Sequence, residues 1–230
     1  MLIISNYNHS ISPTMLGWSA DQDYIIYDQS ETVGDINKSL FTNITPSLHS
    51  GHNLSDYFSF IISNWDNLPE INRFIKGNIV PRHIDQISYR KRINNTFYTS
   101  LFCNQDNRKM MSLSHLFRFK SLYPSFSASN GFHAEFNNNW YSHSKVANCF
   151  VNFDDLASHL FLDYKKLRYI VFIPSACSIV ERSRIKYYPK KLYEFLFQIT
   201  TYTLFPREAY HVERILHMLW QCTHSLKSNF

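Results

Sequence analysis

Five glycines in 230 residues are too few for a glycine-rich phosphate cradle, and the chain holds no GxGxxG or Walker-type run. Cysteine is as sparse: Cys103, Cys149, Cys177 and Cys222 lie far apart and form no CxxC pair. That spacing argues against a zinc or dithiol site and fits buried free thiols in a reducing cytoplasm. Charged residues make up only 18% against 44% hydrophobic, which excludes a disordered chain. No apolar run approaches the length that crosses a bilayer. The start, MLIISNYN, reads directly as a strand with no charged leader, so the expected location is cytoplasmic.

Aromatics are abundant, with 15 Tyr and 19 Phe to supply flat surfaces for packing or stacking. The net charge of +5 suits an anionic ligand or an acidic membrane face. It is too mild to point to nucleic acid, and the basic SYRKRINN run at 88–95 reads as a solvated face.

Leu2–Ile4 and Tyr24–Tyr27 are short apolar runs ending in turn formers, the mark of buried strands. Pro13–Ser19 has room for one short helix between them. Leu54, Tyr57, Phe58, Ile61 and Ile62 keep helical spacing, which predicts a helix over Leu54–Trp65, ended by Asn67-Leu68-Pro69. Ile71–Ile75 is the next strand, giving the β-(α)-β-α-β order of a parallel sheet. Residues 85–129 read as short helices joined by loops, and Gly131–Lys145 as an irregular loop. Leu167–Pro174 reads as a strand, and Pro189–Thr200 and Ala209–His224 as amphipathic helices. The expected fold is α/β: one domain over residues 1–230, with a mostly parallel central sheet flanked by helices.

Residues 50–83 carry the most chemistry. Gly51, His52, Asn53 and Asp56 precede or open the helix; Lys76, Gly77, Asn78, Arg82 and His83 follow the strand. In open α/β sheets ligands bind beyond the carboxyl ends of the strands, so both groups are site candidates. Each also has a plainer reading. Asn53, or Ser55, caps the helix, Asp56 suits its dipole, Gly51 supplies a positive φ, and Arg82-His83 forms a solvated turn. Asp28 closes the second strand, either as a ligand contact or as an Asx turn. Glu135 is a candidate general base or plain surface charge; Glu213 is a second candidate base or half of an ion pair with Arg214.

The run IISNYN…YIIYDQS…GHNLSDYFSFIISNWDNLPEINRFIKGN, with the later IPSACSIVERSRIKYYPKKLYEFL and the helix carrying Val212-Glu213-Arg214 and Trp220, resembles a domain-of-unknown-function family of bacteria and eukaryotes. That family is similar in layout to GT-A-type nucleotide-sugar glycosyltransferases, which have a Rossmann-like fold. The resemblance implies a nucleotide-binding half over 1–83 and an acceptor-side half over 131–230. It implies nucleoside contacts from Ser5, Asn6, Tyr7, Asn8 and Asp28, diphosphate contacts from Lys76 and Arg82, and a base in Glu135 or Glu213. From their own chemistry, Trp140 and Tyr141 are candidates to stack on a sugar ring or, in a chain with 17% aromatics, to be core. The implied activity is transfer of a sugar to a hydroxyl acceptor in surface polysaccharide or glycan synthesis. The partners are a nucleotide sugar and a glycan or lipid-linked acceptor, with peripheral association at the inner membrane surface and no nucleic acid.

The chain departs from the family where an acidic metal motif is expected. Lys76-Gly77-Asn78 stands there instead and offers no carboxylate to a hard cation. Asp21-Gln22-Asp23 precedes its strand and so faces the wrong edge, while Asp154-Asp155 suits a helix start. The expectation is metal-independent chemistry with no cofactor, in which fixed cations meet the leaving diphosphate. A manganese or magnesium ion, and a binding module that has lost its chemistry, stand as alternatives.

Overall fold

The computed structural model describes residues 1–13, 16–17, 23–30, 41–48, 50–103, 125–127 (backbone alone), 130–138 and 149–230. Among the described residues of the first hundred the chain runs through β1 (Leu2–Asn6), β2 (Tyr24–Asp28), β3 (Ile44–Pro46), α1 (His52–Ser63), β4 (Ile71–Lys76) and, after two short helices, β5 (Thr99–Ser100). The short helices are α2 (Ile79–Arg82) and α3 (Gln86–Arg92). Then come β6 (Ser125–Ser127), β7 (His133–Phe136), α4 (Phe153–Leu160), β8 (Tyr169–Phe172), β9 (Ser178–Glu181) and α5 (Arg182–Ile185). Two long helices follow, α6 (Lys190–Thr201) and α7 (Arg207–Gln221).

The main sheet has six strands in the order β3-β2-β1-β4-β9-β5. Strands β1 to β4 pair in parallel, and β9 runs antiparallel to both β4 and β5. This is a mixed α/β architecture of Rossmann-like type. Strand β1 shows why the sequence folds so: Ile3 packs into one apolar layer with α1, α6 and α7, while Leu2 and Ile4 pack into the other with Ile79, Ile84 and Tyr89. Alternate side chains enter opposite layers, so the part of a central parallel strand that is buried between both layers, here Leu2–Ile4, is a continuous apolar run. A second sheet, β6-β7-β8, is antiparallel, and α7 packs on β8.

Several expectations need correction. Gly131–Lys145 contains the strand β7, whose four residues gain their ladder from β8 and β6 and show no periodicity of their own. Strands β3, β5, β6 and β9 have three, two, three and four residues, too short to leave a pattern in sequence. The N-cap of α1 is Gly51 at φ 70°, with no side-chain cap and no acid in the first turn. Asn53 and Ser55 lie inside the helix, and Ser55 Oγ donates to the His52 carbonyl at 2.9 Å. All four cysteines are free, but only Cys177 is fully buried and Cys149 is exposed. Most of the helix expected over Pro13–Ser19 falls outside the described residues, as do Asp21, Gln22, Trp140 and Tyr141. Asp154 and Asp155 sit in the first turn of α4, which Asn152 caps by accepting from the Asp155 amide at 2.9 Å.

No helix among the described residues is long and apolar enough to cross a membrane.

Candidate functional site

The chain fills one side of the sheet with β2 and β3 and then crosses β1 to add β4 on the other. The order therefore reverses between β1 and β4, and a crevice opens outside their carboxyl ends. Register places the ends together: Ser5 lies beside Tyr27 on one flank and Lys76 on the other, and Asn6 beside Asp28. Asp28 and the Lys76-Gly77-Asn78 corner therefore share one rim, on either side of β1.

A cleft of about 330 Å³ occupies this rim. Ser5 and Tyr7 enter it from the end of β1, Gln29 from the end of β2, His52 and Asn53 from the first turn of α1, and Lys76, Asn78 and Arg82 from the β4–α2 corner. Of the expected contacts, Ser5, Tyr7, His52, Asn53, Lys76, Asn78 and Arg82 line it. Five lining residues were not anticipated: His9, Gln29, Ser50, Leu204 and Phe205. His9 is tied to Asn78 at 2.8 Å between Nε2 and Nδ2. The Phe205 ring lies 5.1 Å from that of His52, which also meets Tyr210. Leu204 and Phe205 belong to the loop between α6 and α7. An exposed apolar pair just before Pro206 was the signal that reading by periodicity passes over.

The remaining candidates do not line the cleft, and Asn6 and Asp56 are buried behind its lining. Asp56 is buried and accepts from Ser5 Oγ at 2.5 Å, from Gln29 Nε2 at 2.7 Å and from Ser47 Oγ. One carboxylate thus ties the ends of β1, β2 and β3 to α1. Burial raises its pKa to about 7, against the opposing pull of these donors. Asp28 Oδ1 accepts from the Ser30 amide two residues on at 3.2 Å and from Asn6 Nδ2 at 3.3 Å, the Asx turn of its plainer reading. Asn6 is wholly buried against Gly77, where a Cβ would come within 2.3 Å of Asn6 Oδ1. Gly51 is needed for its positive φ and because a Cβ would stand 2.6 Å from the Thr200 carbonyl. Asn8 adopts φ 50°, and its amide donates to Ser30 Oγ at 3.0 Å.

His83 lies behind the cleft against Ser175 Oγ, at 3.3 Å from Nε2. Burial, with Lys76 and Arg82 nearby, lowers its pKa to about 4, so it is a neutral imidazole. Ser175 and Ala176 hold positive φ angles of 66° and 53° at the β8–β9 corner. Such strain persists only where neighbours fix it. Asn53 Nδ2 donates to the Ser175 carbonyl at 2.6 Å, and Glu213 accepts from the Ser175 amide at 2.6 Å.

The two expected bases are therefore placed elsewhere. Glu213 fixes that corner and also meets Arg214 at 3.1 Å. Glu135, on β7, is 1% exposed and paired with buried Arg214 through Nε at 2.5 Å and NH2 at 3.2 Å. Neither lines the cleft. Among the described residues the cleft lining includes no carboxylate, and no cluster of His, Cys, Asp and Glu has the makings of a metal site.

Among the described residues, what lines the cleft is cationic or neutral: Lys76, Arg82, two histidines, amides, hydroxyls and the apolar Leu204 and Phe205. The uncapped start of α1 adds partial positive charge from its first amides. Fold and site together define an α/β protein with an anion-suited cleft at the switch point of its sheet. Comparison of the chain with protein-family models, curated proteins and solved structures found no match.

Proposed function

We propose that this protein is a glycosyltransferase that uses a nucleotide-sugar donor without a metal ion. The observation that carries the reading is the meeting of Lys76 and Arg82 in one cleft, free of lining carboxylates among the described residues, at the ends of β1 and β4. A carboxylate-seeking hard cation finds no such ligand among the described lining residues, whereas a diphosphate finds two positive charges. As the bond from the anomeric carbon to the diphosphate breaks, the electron pair leaves on the diphosphate oxygen. Preorganised donors are most effective where charge develops in this way. Lys76 and Arg82 neutralise that charge, the start of α1 adds its dipole, and Tyr7 offers a face for the base. Surface polysaccharide or glycan assembly at the inner face of a membrane is the setting we propose.

A second reading, a nucleotide- or carbohydrate-binding module without transfer, is favoured by one observation. Both carboxylates expected to act as base are engaged with Arg214 or Ser175, away from the cleft.

A thermal-shift screen of nucleotide sugars, with and without manganese, tests the proposal. A ligand that binds the folded state raises the melting temperature, and release of nucleoside diphosphate in the presence of acceptor separates the two readings. The expected result is stabilisation by one donor class in chelator. No stabilisation by any donor contradicts the reading, and strict manganese dependence contradicts its metal-free part.

A further inference from the structure

Beside its cations the cleft has an apolar wall. Tyr7, Leu204 and Phe205 are 50%, 53% and 46% exposed, and all three line the same cavity as Lys76 and Arg82. Single exposed apolar residues are ordinary, but several gathered at the mouth of one charged cleft mark a binding surface. The wall is held in place: Ser50 Oγ donates to the Thr203 carbonyl at 2.5 Å, and Phe205 rests on the His52 ring. Leu204 offers no hydrogen bond to a sugar hydroxyl, so this wall is not built for a polar acceptor. The cleft also lacks a lining carboxylate, among the described residues, to take a proton from a hydroxyl acceptor.

One chemical class meets both conditions. Resting on the transferase reading above, we infer that the acceptor is a phosphate-bearing amphiphile, a phosphate monoester on an apolar chain. Its phosphate enters the cleft beside the donor diphosphate, and its chain lies along Leu204 and Phe205, which leaves Tyr7 to the donor's base. A phosphate monoester is largely dianionic at neutral pH and attacks without a base. One phosphate oxygen bonds to the anomeric carbon while the bond from that carbon to the diphosphate breaks. The electron pair leaves with the nucleoside diphosphate, and no proton is removed.

Calorimetric titration with inorganic phosphate, octyl phosphate and octyl glucoside, all in chelator and below micelle concentrations, tests the inference. Burial of a few methylenes predicts that octyl phosphate binds at least about tenfold tighter than inorganic phosphate. The L204S/F205S protein, its fold checked by an unchanged melting temperature, loses that preference. Equal affinity for the two phosphates overturns the inference while the donor reading stands. Equal binding of octyl glucoside also overturns it, because the chain alone would then suffice. If neither the phosphates nor any nucleotide sugar binds, the transferase reading falls as well. Flotation with phosphatidylcholine vesicles, with and without phosphatidic acid, distinguishes the source. Vesicle binding that requires phosphatidic acid places the amphiphile in a bilayer; octyl phosphate binding without it assigns a soluble amphiphile, and both outcomes support the shared chemistry.

Discussion

Arg214 grips Glu135 across the molecule, with Nε 2.5 Å from Oε1 and both side chains buried. The guanidinium also stacks 4.3 Å from the Phe172 ring centroid, so it is enclosed by the β7–β8 face and by its own helix. The pair joins the small sheet to α7.

Removing one partner of such a pair strands the other charge in the interior. Glu135→Ala should therefore lower unfolding stability by about 3–5 kcal/mol, read as an earlier urea midpoint. Replacing both residues with apolar ones of similar volume should recover much of that loss. Were Glu135 a catalytic base at the surface, Glu135→Ala would instead leave stability near that of the parent.

The buried titratable groups oppose one another with pH. Asp56 is held protonated up to about 7 instead of 3.8, chiefly by burial. Its neutral form is the one the interior favours, so its contribution is full below pH 3.8 and lost as pH rises to about 7. His83, His211 and His217 run the other way, with pKa values near 4 instead of 6.5, again chiefly from burial. Their contribution is full above pH 6.5 and lost as pH falls to about 4. Asp56→Asn should remove only the first effect. Its stability relative to the parent should rise by a few kcal/mol from pH 4 to pH 7, measured as urea midpoints across that range.

Gly77 and Asn6 form the tightest approach behind the lining of the cleft. Gly77→Ala should cost about 1–3 kcal/mol, since buried Asn6 has no room to turn away. Adding Asn6→Ala clears the clash, so the double variant should lose less than the two single losses summed. Denaturation of the four proteins in a double-mutant cycle checks this, and additive losses would contradict it.

The long apolar segments were legible in the sequence. Strands β1, β2 and β4 and helices α1, α6 and α7 lie within a few residues of where periodicity placed them, because each buries a continuous face. The shared rim of β1, β2 and β4 was also readable from the β-α-β order, and with it the place of Lys76 and Arg82. The neighbours of Glu135 were not. Arg214 is 79 residues away, and no local pattern records which distant cation will neutralise a carboxylate. Strand β7 was hidden for a related reason, since its pairing and not its own composition makes it a strand. Leu204 and Phe205 escaped because a loop has no period from which to read a face. Asp56 was placed correctly in the chain, but its three donors come from three different strand ends, and only the folded sheet gathers them.

The central claim is that Lys76 and Arg82 together hold a diphosphate without a metal. Calorimetric titration of nucleoside diphosphates in chelator, on the parent protein and on K76Q/R82Q, addresses it most directly. The account predicts saturable binding to the parent and a loss of at least about tenfold in the double variant, as expected when charge-assisted contacts are removed. Binding that appears only with manganese, or that K76Q/R82Q retains in full, would contradict it.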